Sequence, residues 1–409
     1  MFPFFLFQII VYLIMKNFFE KFPSPYPFDV EERVSKGYRE PYDLSNELRL
    51  IYPEKLKKTF KVKEALVVGC GHTEGIYHAL RNPDVNFTCI DFSSNAIKFS
   101  SNEAKRLKLE NCNFINIDFC DFTSNFNFDI IYCRNVLQFL PIVLDGLKKC
   151  SSLLNKDGAL ICTIPSSYLY DDINHLREII INLGYSYNNI KDVEEAKNIV
   201  TGLMGAHPSK LRALNNDKVI DDNDFITRFM IPENKCFDIY SLFSLIKSSN
   251  LYFQSWYNNA LYYPSALLRK DSNKHKTFYK RIDGLDNLDK WHSVCNIFRS
   301  SLNRFSHTFC LRKNSEFEFI DLKLLTDNSS IVSVRPYQVI KKNDRQEYHV
   351  GNSNYLKKLT HSEYIFLQNI EKPKSLKKIL NLNINNTDDS DKKTILSSLY
   401  ESSIIYLYN

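Results

Sequence analysis

Short apolar runs along the chain alternate with stretches of helical spacing, the pattern of a parallel sheet covered on both faces. Ala65 to Val68, Phe87 to Ile90, Asn113 to Ile117, Asp129 to Cys133 and Ala159 to Ile164 read as five buried strands. Glu74 to Arg81, Ser94 to Leu107 and Pro141 to Leu154 read as the helices between them, and the turn Lys156-Asp157-Gly158 leads into the fifth strand. Five such units predict an α/β fold, a Rossmann-like doubly wound and mostly parallel sheet. The rhythm changes after Pro165. Residues 174–213 look wholly helical, with Leu176, Ile179, Ile180 and Leu183 on one face and Ala196, Ile199, Val200 and Leu203 on another, so a helical insertion is expected over about 170–235. A helix at Ile239 to Ser248 and a strand at Leu251 to Tyr257 resume the sheet pattern. Ser306 to Arg312 is expected as an antiparallel edge strand that finishes the sheet, after a lysine-rich excursion over 258–299.

Both ends differ from this middle. From about Glu316 the composition turns polar, and the order helix (Thr360 to Ile370), helix (Ser375 to Leu382), helix (Ser390 to Ser402), strand (Ile404 to Tyr408) predicts a small winged-helix-like domain over 316–409, with Thr360 and Ser375 as helix caps. Residues 24–60 form an N-terminal arm broken by prolines, whose Tyr26, Phe28, Tyr38 and Tyr42 either pack it down or form a lid. Met1 to Met15 is an apolar run shorter than the ~20 residues of a membrane span. Residues 1–23 are therefore read as an apolar leader, as a start assigned too early with Met15 the true one, or as an anchor associating weakly with a membrane surface. The central domain is expected over 61–315.

Composition excludes more than it assigns. Apolar residues make up 44% and charged residues 24% of 409, which argues against wholesale disorder and against a membrane bundle. The net charge of +6 is spread among mixed signs, so nucleic acid is disfavoured as a partner. The last helix, with Asp391 and Glu401 beside Lys392 and Lys393, is a poor phosphate reader. Ten cysteines without a Cys-x-x-Cys pair suggest no metal site and no disulfide framework, and so a reducing, cytoplasmic compartment.

With only 11 glycines in the chain, Gly69-Cys70-Gly71, followed by Gly75, carries information. A glycine turn between a strand end and a helix N-terminus lets an anionic group approach free N–H groups. Twenty residues on, Asp91 ends the second strand with Phe92 beside it, where a carboxylate can accept both hydroxyls of a ribose; its plain alternative is the N-cap of the next helix. Asp118 and Phe119 end the third strand, where an acid can receive the exocyclic amine of adenine while Phe92 and Phe119 sandwich the ring.

These elements, with Phe128-Asp129 and Val136-Leu137-Gln138-Phe139-Leu140 closing the fourth strand, resemble the motif series of class I S-adenosylmethionine-dependent methyltransferases over about 60–165. The entry segment Tyr26-Pro27-Phe28-Asp29-Val30-Glu31-Glu32-Arg33-Val34 is similar to that of bacterial methyltransferase-domain proteins with a C-terminal regulatory domain, the protein-lysine methyltransferase group among them. The resemblance implies S-adenosylmethionine as cofactor, held by Gly69, Cys70, Gly71, Asp91, Phe92, Asp118, Phe119 and Cys133. It implies a protein side chain or a small molecule as methyl acceptor, with Tyr26, Arg134, Asn135 and Gln138 at the mouth of the site. Two positions depart from the motif: Val67 stands where an acid is common, and Thr73 where a third glycine is. The Asn-Pro-Pro-Tyr motif of adenine and glutamine methylases is absent at 133–136. His72, His207 and Tyr26 are equal candidates for a base, and none is singled out. A methyltransferase-fold binding protein without activity remains the alternative, and an NAD-dependent oxidoreductase is disfavoured because Glu74 would repel a pyrophosphate.

Overall fold

The computed structural model describes residues 2–23, 29–35, 44–53, 61–203, 221–266, 268, 273–298, 306–314, 330–335, 339–342, 347–352, 355–370, 372–382 and 388–408. Two compact units emerge, one of residues 1–44, 62–253 and 303–316 and the other of 45–61, 254–302 and 317–409. This division differs from the boundaries expected at 61–315 and 316–409: residues 254–302 go with the tail, and the 24–60 arm is shared between the units.

The first unit begins with a long helix, α1 (Phe2–Lys21), then α2 (Val30–Ser35). The segment expected as a leader is thus a helix packed into the unit: Met15 and Phe18 are each 1% exposed, in a cluster with Leu176, Ile180, Val200 and Phe229. A fully apolar helix face buries itself where it finds a partner, and here the partner is the helical insertion. Among the described residues no helix is long and apolar enough to cross a membrane.

In the sheet, β1 (Glu64–Val68), β2 (Asn86–Asp91), β3 (Cys112–Asn116) and β4 (Phe128–Arg134) run parallel, joined by α3 (Glu74–Arg81) and α4 (Ser94–Arg106). After α5 (Val143–Leu153) comes β5 (Leu154–Pro165), parallel to β4. The predicted turn 156–158 lies inside β5, where the register slips between Phe128 and Ile130 and a bulge takes up the extra residues. The insertion supplies α6 (Ser167–Asn182), α7 (Ile190–Leu203) and α8 (Asp222–Phe229). Next are α9 (Ile239–Lys247), β6 (Tyr252–Trp256) and, later, β7 (Ser306–Arg312). Strand order is β3-β2-β1-β4-β5-β7-β6. β7 is antiparallel to β5, as expected, but it is not the edge; it lies between β5 and β6. Because the order reverses between β1 and β4, the crevice outside their carboxyl ends is where a ligand of such a sheet belongs.

Among the described residues of this unit two histidines are sealed. His78 lies between Tyr132 and Phe87, near Glu74 and Arg134, and His307 bonds to the Phe237 carbonyl near Asp238. Burial pulls both down to about 4 from an ordinary 6.5. The unfolded chain binds these protons at the higher pH, so stability present above pH 6.5 is lost as pH falls towards 4. Urea midpoints should drop across that window, and a His78→Phe variant should show a shallower drop.

The second unit contains the helix Leu44–Ile51 from its second residue on, Trp256 stacked 3.6 Å from Tyr262, and the helices Lys276–Ile282 and Asn287–Phe298. Towards the C-terminus it holds two three-stranded sheets. One is formed by Val339–Lys342, Tyr348–Asn352 and Tyr355–Lys358, the other by Ile331–Val334, Lys374–Ser375 and Ile405–Tyr408. Three helices, His361–Asn369, Leu376–Leu380 and Asp389–Glu401, stand where the sequence placed them. Thr360 caps the first through a reciprocal bond with Glu363, whereas Ser375 makes no side-chain cap. Lys357 and Glu363 form a buried ion pair at 2.9 Å, satisfied further by Ser398.

Candidate functional site: the carboxyl edge of the sheet

The three glycines after β1 are required for three different reasons. Gly69 has φ +64°, and a Cβ there would lie 2.3 Å from Cγ2 of Val136 in the loop after β4. Gly71 has φ +52° and meets nothing within 4 Å, so its face opens onto free space. A Cβ on Gly75 would strike Cys89 at 2.6 Å, which keeps α3 tight against β2. A close helix and an open turn together form a cradle for a ligand at the helix N-terminus.

Asp91 is fixed by the backbone around it. Its Oδ2 accepts from the Gly71 N–H at 2.9 Å and its Oδ1 from the Ser93 N–H at 2.8 Å. Ser93, rather than Asp91, caps the next helix through Ala96, which removes the capping alternative for Asp91. Burial raises the Asp91 carboxyl above its usual range, and these N–H groups offset that only in part. A carboxylate offers about four acceptor sites, so about two remain for a ligand. Ser100 ties the same turn from beneath, donating within 3.0 Å of the Gly71 and His72 carbonyls.

Asp118 is more heavily engaged. Oδ1 accepts from Tyr12 Oη and from the Cys120 N–H, each at 2.8 Å, and Oδ2 accepts from Lys16 Nζ at 2.6 Å. Burial opposes its ionisation, but the lysine and the other donors prevail and hold the carboxyl below its usual range. Phe92 is half-buried with the Lys16 ammonium 5.9 Å from its ring, and Phe119 is buried with the Lys149 ammonium 5.5 Å away. Cys70 and Cys133 are buried, and both thiols lie far above the ordinary range: Cys70 through burial, Cys133 through its contact with Cys150 and burial. Neither thiol is a nucleophile at neutral pH.

The residues expected at the mouth separate. Arg134 turns away from it: its side chain is 8% exposed and bonds Glu74 at 3.0 Å, over the Tyr132 ring. A guanidinium at a strand end points to the nearest buried carboxylate, and Glu74 at the start of α3 supplies it. Glu74 is held ionised by His78 and Arg134 against the cost of burial. Gln138 is 2% exposed, also away from open solvent. Asn135 remains exposed with φ +55°, a strained backbone of the kind that gathers at functional sites. His72 packs edge-on against Phe99 of α4, and burial lowers its pKa. Tyr26 and His207 lie outside the described residues, as do Phe28, Tyr38 and Tyr42. Among the described residues no group of three or more His, Cys, Asp and Glu could hold a metal.

Sequence reasoning missed α1 altogether. Tyr12 and Lys16 hold Asp118, and Glu20 accepts from Ser94 Oγ at 2.8 Å and the Asn95 N–H at 3.3 Å at the start of α4. Their spacing of four in a largely apolar helix was the available signal.

Residues 66–160, from β1 through the start of the apolar part of β5, match a family described as a methyltransferase domain. The chain is 31% identical over 152 residues to a ubiquinone biosynthesis O-methyltransferase of Coxiella burnetii, a match covering 36% of this chain and 63% of that protein. Another protein of that description, from Actinobacillus pleuropneumoniae, is 30% identical over 131 residues, covering 30% of this chain and 55% of its own length. The chain thus spans somewhat less than two thirds of the curated relatives it matches. Two structures of PKMT2 from Rickettsia typhi share the fold at 15% identity. One superposes with a TM-score of 0.56 over 88% of this chain and 76% of that one, the other, in complex with AdoHcy, with 0.58 over 94% and 77%. In the matched segment the glycine turn, Asp91 and Asp118 lie at the ends of three consecutive strands of the sheet, β1 to β3.

Proposed function

We propose that the protein is an S-adenosylmethionine-dependent methyltransferase whose acceptor is a protein side chain or a small molecule. S-adenosylmethionine is the cofactor. The observation that carries the reading is the Asp91 carboxylate, locked by Gly71 and Ser93 with acceptor sites left over, beside a glycine whose face is open. In this reading Gly69, Cys70 and Gly71 line the methionine moiety through backbone groups, and Asp91 receives the ribose hydroxyls. Asp118 receives the adenine amine with Phe92 and Phe119 around the ring. Cys133 contributes backbone, since its thiol faces Cys150. The bound cofactor supplies an activated methyl group. The protein's part is to orient it in line with the acceptor and to exclude water, which accounts for much of the rate of such transfers. Arg134 acts by holding Glu74 at the start of α3, while Asn135 faces the acceptor side.

The reading of residues 316–409 as a small winged-helix-like domain is supported by three helices and a three-stranded sheet there. Ten free cysteines fit a reducing, cytoplasmic compartment. A protein that binds the cofactor without transferring methyl is the second reading, favoured by Val67 alone. Calorimetry tests the first: S-adenosylhomocysteine is expected to bind one to one and NAD not at all. Binding of NAD, or of neither, would overturn it, and labelled cofactor incubated with protein and small-molecule fractions of a lysate separates transferase from binder.

A further inference from the structure

Helix α1 carries three kinds of residue on three faces. Met15 and Phe18 are sunk into the insertion, with Phe19 edge-on to Phe139 at 4.9 Å beyond β4. Phe7, Ile10 and Leu13 face outward. Tyr12, Lys16 and Glu20 form a polar stripe, one residue per turn. That stripe runs along the ends of the strands at which the cofactor was placed above. Tyr12 and Lys16 reach Asp118 after β3, Lys16 lies by the Phe92 ring after β2, and Glu20 holds Ser94 and Asn95 just beyond Asp91.

These contacts do little to hold the helix. A partly exposed ion pair such as Lys16 with Asp118 adds little to stability, while the buried apolar face of α1 supplies the attachment. What they do is set the charge and direction of the carboxylate assigned to the adenine. Three donors occupy Asp118: Oδ1 has two and Oδ2 one, so of about four acceptor sites one on Oδ2 is left for an incoming amine. An arriving ligand can therefore bond Asp118 without displacing the helix.

We propose that the Tyr12-Lys16-Glu20 stripe of α1 is the roof of the adenosyl site, closing over the adenosine half of the cofactor and fixing Asp118 and the α4 N-terminus that receive it. This rests on the cofactor reading above. Tyr12, Lys16 and Glu20 are positioning residues, and ligand binding and α1 docking then stabilise one another.

The test is calorimetry with S-adenosylhomocysteine on the full chain, with urea unfolding alongside. Lys16→Met keeps the stem and removes the charge; it should weaken binding about tenfold, the scale of one charge-assisted contact, while barely moving the midpoint of unfolding. In an Asp118→Asn background the same substitution should have much less effect, since the two act together. Tyr12→Phe, which deletes one oxygen, should weaken binding several-fold and guards against a misfolded lysine variant. In the wild type, amides of residues 8–21 should exchange more slowly when the ligand is bound. If the wild type binds while both variants bind as well or better and exchange is unchanged, the roof is refuted and the cofactor reading survives. If the wild type does not bind, the cofactor reading fails first and the roof with it.

Discussion

Asp91→Ala is expected to lower affinity for S-adenosylhomocysteine by about two orders of magnitude or more, the cost of losing two hydrogen bonds to one charged group. The loss would come without unfolding, because the side chain is partly exposed and its two protein partners are backbone N–H groups at a turn open to water on one side. Asp91→Asn, which keeps one acceptor, should fall between the variant and the wild type. Calorimetry reads both, with circular dichroism as the check on folding. Undiminished affinity in the alanine variant would remove the ribose contact from the site, and with it the physical argument for the adenosyl ligand.

Gly69→Ala should be the most damaging glycine-to-alanine change among the described residues. The added carbon would meet Val136 Cγ2 at 2.3 Å on a backbone already in the left-handed region. Left-handed strain costs about 1–2 kcal/mol and overpacking about 1–3, so urea unfolding should register a loss of roughly 2–5 kcal/mol. Gly71→Ala separates the two contributions, because it shares the positive φ but has open space around it. It should cost only the strain, roughly 1–2 kcal/mol, while obstructing whatever occupies the cradle. Adding Val136→Ala to Gly69→Ala should recover the steric part and leave the rest. Equal losses at both glycines would show that packing against Val136 has no part in the turn.

The strands were legible because each is short, apolar and bounded by a turn. β1 to β4 fall within about a residue of where the pattern put them, and Glu74 to Arg81 was read to the residue. Asp91 and the glycine turn were legible because local chemistry fixes them: a strand end, a turn and a helix start lie within a few residues of each other. What failed was whatever depends on a distant partner. Arg134 was expected at the mouth because it follows a strand, but its direction is decided by Glu74, 60 residues earlier. Burial in a sheet can be read from hydropathy, whereas lateral position cannot, so β7 was placed at the edge that β6 occupies. The sheet formed by Val339–Lys342, Tyr348–Asn352 and Tyr355–Lys358 is not legible in the pattern, since its strands are brief and two of them end in paired lysines. An apolar N-terminal run has the same composition whether it leaves the protein, lies on a membrane or packs against helices made 150 residues later. Only the partners distinguish these outcomes.

The lateness of those partners has a consequence during synthesis. α1 is synthesised well before the partners it packs against, which are Ser94, Asp118, Phe139 and the helices between 167 and 229. At roughly 5–20 residues per second, about ten seconds or more pass before the last of them emerges. Throughout that interval this largely apolar segment lacks the partners that cover it in the folded unit. The nascent polypeptide is then a client for whatever factors shield apolar segments at the exit tunnel, and its yield should be sensitive to them in a way that the finished protein is not.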